Sequence, residues 1–116
     1  MKLTSSAATA AVVLSCLALS ACFNLPTQPS QITSAYVSPN KYTNYDCSQL
    51  TIEQDSLARQ ENMLVSAQAQ RIKSSKFQAF WLGYGQGDGL EASQLANVRG
   101  DEEAVRKAEQ TKSCHA

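Results

Sequence analysis

The sequence predicts an all-α chain: an antiparallel helical hairpin, stapled by one disulfide and preceded by a disordered tether. Three observations carry that expectation. Two stretches, near 46–74 and 88–113, place apolar residues at helical spacing behind Asp start signals. Residues 23–45 hold Pro26, Pro29 and Pro39 among Ser, Thr, Asn and Gln, with no helical period. Cys47 opens the first helical stretch and Cys114 closes the second.

The chain opens with MKLTSSAATAAVVLSCLALSAC. Lys2 supplies a short positive region, and Ala7 to Leu19 is a largely apolar run too short to span a bilayer permanently. Leu19-Ser20-Ala21-Cys22 then sets an aliphatic residue and two small residues before a cysteine. This run resembles the lipobox of bacterial lipoproteins. The resemblance implies cleavage after residue 21 and a Cys22 thiol carrying diacylglycerol, with two or three palmitate-class chains in all. Several chains anchor firmly where one anchors weakly. Val13-Leu14-Ser15-Cys16 is a poorer match that would cut through the apolar run. By resemblance to enterobacterial lipoproteins, Phe23 in place of Asp implies the periplasmic face of the outer membrane rather than retention at the inner one.

Residues 22–45 are expected to form a lipid-anchored flexible tether, extended and largely solvated. Its sizeable apolar groups near the body are Tyr36, Val37, Tyr42 and Tyr45, which are placed to lie along the helices as a short clasp. The hairpin domain is expected at 46–114. Asp46 and Gln49 have the spacing of a capping box, so the first helix starts there. Leu50, Leu57 and Leu64 repeat every seven residues, like a short coiled-coil seam, with Val65 and Ile72 close to the same face. Asp55 and Arg59 are spaced for an ion pair.

The second helix has Asp88 as its expected cap and Glu91 three residues on. Leu95, Val98, Val105 and Ala108 form its stripe, and Glu102–Arg106 and Glu103–Lys107 are acid-first i,i+4 pairs. Gly100 costs this helix about 1 kcal/mol relative to alanine. Its expected use is to admit another backbone at close range. Pairing a second helix of Leu90–Ser113 back from Cys47 reaches only about Arg71. Residues 72–89 are left as a tip that holds Phe77, Phe80, Trp81 and Tyr84, preceded by Lys73 and Lys76. Two readings stand for it. The aromatics fold back to plug the hairpin end, or they form an exposed surface that docks into a partner or onto a membrane.

Size and composition narrow the function. The chain has 116 residues. A helical body of roughly 70 residues buries a modest core and usually needs a staple or a partner. Loss of Lys2 with the signal leaves 9 basic against 10 acidic side chains, which argues against nucleic acid. Gly83, Gly85, Gly87 and Gly89 alternate without a preceding strand, so they do not make a phosphate-binding loop. His115 is the one histidine and no CxxC pair exists, which argues against a metal site. No cofactor is implied. Cys16 leaves with the signal and Cys22 is acylated, so a Cys47–Cys114 disulfide is expected in an oxidising compartment.

Tyr36-Val37-Ser38-Pro39, Tyr42, Tyr45, Cys47, Gln49 and Leu50 resemble a run in small proteobacterial lipoproteins. So do Val98-Arg99-Gly100-Asp101-Glu102, Ala104, Val105, Ala108, Lys112 and Cys114. The resemblance covers roughly 36–114 and carries a pattern but no activity. Relatives of that kind often have a longer, more apolar Phe-Trp segment. Here Gln78, Gln86 and Asp88 interrupt it, which counts against insertion into a membrane.

These features together lead to the expectation of a non-enzymatic, lipid-anchored envelope protein. It would bind another envelope component, or a second copy of itself, through the hairpin and its aromatic tip. A phage-type lysis or envelope-stress lipoprotein is an alternative, for which three prolines are few. A small hydrolase is the other. Against it, Glu53, Asp55, Glu61 and Glu103 read as solvated, with no histidine or metal partner to tune them.

Overall fold

The computed structural model describes residues 24–114. The expected signal, the expected lipidation site Cys22 and His115 lie outside the described residues. Two long helices, α1 (Cys47–Leu82) and α2 (Leu90–Thr111), pack antiparallel as a hairpin. Two short 3-10 turns, Pro29–Gln31 and Pro39–Tyr42, precede them. Cys47 and Cys114 are joined by a disulfide with Cα atoms 5.4 Å apart, which closes the base of the hairpin.

The start of α1 follows its sequence signal. The Asp46 carboxylate accepts from the Gln49 backbone N–H at 2.7 Å, and the Gln49 side chain accepts from the Asp46 N–H at 2.9 Å. This capping box satisfies two of the donors that a helix start leaves open. The helix does not stop near Ser74 as the sequence reading expects. It runs 36 residues to Leu82, because no breaker precedes Gly83. There the backbone turns left-handed, at φ 82°, and the Gly83 N–H donates to Ala79 O at 2.8 Å.

The start of α2 departs from expectation in a different way. Gly89, not Asp88, is its cap residue, and no side chain caps it. The Asp88 carboxylate is engaged elsewhere, by Thr27 and Gln68. Two donors on Thr27 and one on Gln68 have outcompeted a local cap.

The core is a narrow seam of Leu50 and Leu57 from α1 against Val98, Ala104, Val105 and Ala108 from α2, with Tyr42 buried among them. Leu95 and Ile72 extend the buried stripe towards the tip. The Tyr42 ring meets Tyr45 edge to face, centroids 5.1 Å apart.

The largest correction concerns 22–45. From Asn24 onward this segment is not a solvated tether but a strap bound along the hairpin. Its path begins at the tip, where Gly87 N–H donates to Asn24 O at 2.7 Å. It continues past Arg99, which donates to Pro29 O and Ile32 O at 2.6 and 2.5 Å. Ala35 N–H donates to Ala96 O at 2.9 Å, and the strap crosses α2 over Gly100. It ends in the core with Tyr42. Extended backbone was the right expectation, since the prolines allow little else. Solvation holds for only part of it: many of its residues are exposed, but backbone carbonyls find donors on α1, α2 and the tip.

The ion pairs also differ from expectation. Among the described residues they join separate segments: Lys41–Asp101 at 2.7 Å, Arg71–Glu91 at 3.0 Å and Arg99–Glu61 at 2.8 Å. The expected intrahelical pairs at Asp55–Arg59, Glu102–Arg106 and Glu103–Lys107 are not formed. Glu103 instead accepts from the Ser34 hydroxyl of the strap, at 3.1 Å.

Candidate functional site: the aromatic tip

The last two turns of α1 run on beyond the paired part of the hairpin. Pairing ends at the level of Arg71 and Ser75. Arg71 holds Glu91 of α2, and the buried Ser75 hydroxyl accepts from the Gln86 N–H at 2.7 Å. Beyond Ser75 α2 no longer pairs with the helix; residues 83–86 return along it to the Ser75 contact, and Gln78 and Ala79 are half-buried. The seven helical residues after Ser75, up to Leu82, project the helix by about 10 Å.

All four aromatics singled out in the sequence sit on this projection or just past it, and all are exposed. Phe77 is 69% exposed, Phe80 80%, Trp81 67% and Tyr84 56%. Leu82, at 60%, belongs with them and was missed. Its signal was available, since it adjoins Trp81 in a run without breakers. The rings touch one another rather than the hairpin. Trp81 meets Phe80 at 5.3 Å and Phe77 at 6.2 Å between centroids, edge to face in both cases. The plug reading requires these rings to be buried against the hairpin end, and they are not. The hairpin end is closed instead by polar groups: Ser75, Gln68, Thr27 and Asp88.

That polar closure is tightly built. Gln68 is fully buried, and its side-chain amide donates to Thr27 O and to Asp88 Oδ1, each at 2.9 Å. Thr27 donates to Asp88 twice, from its N–H at 2.6 Å and its hydroxyl at 2.5 Å. The Thr27 hydroxyl is the main reason the Asp88 carboxyl lies below its ordinary pKa, against the opposing pull of partial burial. The Glu91 carboxyl is also held low, first by its own backbone N–H at the helix start and then by Arg71. The strap is thus fastened at the tip end by the Asp88 carboxylate, the Gln68 amide and the Gly87 N–H. Sequence reasoning missed this clamp because Asp88 carries an equally good helix-cap signal.

Elsewhere the chain offers little chemistry. Burial and Glu61 push the Glu102 carboxyl above its ordinary pKa, with Arg99 and Arg106 opposing. Arg99 lies between these acids and the strap, so they read as part of the strap's fastening. Burial first, then Asp101 and Glu53, push the Tyr42 phenol up; its hydroxyl donates to Glu53 at 3.3 Å. A shallow groove of about 510 Å³ runs between the helices beside Met63, Leu64, Ala67 and Val98. Among the described residues no group of acidic, Cys or His side chains is arranged to hold a metal ion. No family model, curated protein or solved structure matches the chain.

Proposed function

We propose that this chain is a lipid-anchored, non-catalytic protein of the bacterial envelope that makes its binding contact through the aromatic tip. The observation that carries the reading is the exposure of Phe77, Phe80, Trp81 and Leu82 on one helical projection, with Tyr84 exposed just past it. A core this narrow would gain from burying any of them. Burial of one such side chain contributes about 2 kcal/mol. Leaving five in water is costly for solubility and is typical of an interaction surface. The anchor reading rests on Leu19-Ser20-Ala21-Cys22, and outer-membrane sorting on Phe23.

The test pairs fractionation with mutation. Wild-type protein is expected in the outer-membrane fraction, with an intact mass showing acylated Cys22. Cys22→Ser is expected to lose that behaviour. Phe80→Ala and Trp81→Ala are expected to retain helical circular dichroism and melting temperature while losing the tip contact. A stability loss with the contact kept per folded molecule would refute the contact role.

A further inference from the structure

This inference deepens the anchor reading above and rests on it. We infer that the component met by the tip is the bilayer that holds the anchor, with the aromatic rings seated at the headgroup level of the leaflet that receives the Cys22 chains.

The strap decides this. Its first described residue, Asn24, is bonded to Gly87, and Thr27 to Asp88, so the strap starts at the tip and runs away from it towards the disulfide. Asn24 stands only two residues from Cys22, and two residues span at most about 7 Å. The level of that contact, marked by Ser75 and Gln86, lies about 10 Å below the end of α1. An acyl anchor at Cys22 would therefore join the chain two residues before the strap's tip contact, while the disulfide sits at the opposite end of a helix about 54 Å long. A long flexible tether would have let the tip search for a distant partner. A strap clamped at the tip keeps it at the membrane.

The chemistry of the surface agrees. Trp and Tyr rings beside Phe and Leu are the composition of a membrane–water interface. Lys73 and Lys76 are exposed and make no ion pair among the described residues. The nearby acids are hydrogen-bonded within the chain, the exposed Asp88 to Thr27 and Gln68 and the half-buried Glu91 to Arg71. Lys73 and Lys76 thus bring positive charge along the helix that carries the rings, which suits anionic lipid headgroups. Of the three polar interruptions, Gln86 joins the closure through its backbone N–H and Asp88 through its carboxylate, while Gln78 is half-buried on the projection. None of the described helices is long and apolar enough to cross a membrane, so the contact is interfacial.

Trp81 is the single tryptophan, so its emission reads the tip alone. The full chain, expressed with its own signal, would be purified in detergent. It would then be reconstituted into vesicles of phosphatidylethanolamine and phosphatidylglycerol. Intact mass reports Cys22 separately. The expected result is blue-shifted Trp81 emission, quenched severalfold by lipids brominated near the headgroup end and little by aqueous iodide. Phe80→Ser with Leu82→Ser should sharply reduce the lipid quenching at unchanged helical circular dichroism. Acylated Cys22 with a water-exposed, iodide-quenched Trp81 would overturn the docking claim and leave the anchor standing. So would a blue shift that rises with protein concentration and ignores brominated lipid, which would assign the tip to a second copy of this chain. An unmodified Cys22 would overturn the anchor and this inference with it.

Discussion

At Gly100 a hydrogen atom decides whether the strap can lie where it does. A Cβ there would collide with the Ala35 carbonyl oxygen and stand 2.9 Å from Val37 Cγ2. In a free helix Gly100→Ala would gain about 1 kcal/mol. Here the collision is with backbone, which gives little, and overpacking of this kind costs about 1–3 kcal/mol. A net loss of about 1 kcal/mol in urea unfolding is expected. A gain would mean that the strap does not cross α2 at this point. Asp88 supplies a pH handle. Its folded pKa is lowered, so its contribution is present above the ordinary carboxylate range and disappears as pH falls through the lowered value. Glu91 acts in the same sense, and the raised Glu102 opposes both. Asp88→Asn is expected to be less stable at pH 7 and to lose less stability on acidification, as read by urea unfolding at a series of pH values. An unchanged acid profile would remove Asp88 from the clamp. Neither feature was fully legible beforehand. Gly100 in mid-helix announces a close approach, but nothing near it in sequence names Ala35. The Asp88 carboxylate has two good uses, and only the folded strap selects between them.

At the scale of the element, α1 does two jobs along one uninterrupted helix. From Leu50 to Ser75 it packs, and from there to Leu82 it projects. The packing half was legible because its leucines repeat every seven residues and its start carries a capping box. The projecting half was legible as unpaired chain, since arm lengths leave it over, but not as helix. Reading its end at Ser74 gave too much weight to pairing, whereas the backbone continues until the first glycine. The strap was the least legible element. Its composition is that of a solvated linker, and its binding comes from carbonyls and single side chains that leave no periodic trace. The two halves of α1 should respond oppositely to truncation. Leu57→Ala is expected to cost about 2–5 kcal/mol, as a buried leucine does. Phe80→Ala and Trp81→Ala are expected to change stability by less than about 0.5 kcal/mol, as exposed positions do. Melting curves of the three variants distinguish packing from projection directly, and a loss at Trp81 comparable to that at Leu57 would place the ring in the core.

The whole molecule is a hairpin closed at one end by a disulfide and tied by its strap at the other. The disulfide joins residues 67 apart, which in the chain-entropy account contributes about 4 kcal/mol. Lys112 reinforces the same end by donating to the carbonyls of Thr43 and Tyr45. With so thin a core, reduction of the Cys47–Cys114 bridge is expected to lower stability by about 2–5 kcal/mol. Equal unfolding of the oxidised and reduced forms would show that the helices hold without it. The opposite end carries the exposed rings, the start of the strap and two unpaired lysines. An anchor at Cys22 would place that end at the membrane and point the disulfide into the periplasm. The central claim is that the tip faces outward to a contact and does not close the hairpin. Photo-crosslinking from position 81 in whole cells tests it most directly. Adducts between the tip and membrane phospholipid, identified by mass, are the expected result. Adducts confined to the chain's own hairpin would contradict the account, because they would show the aromatics folded back onto the fold.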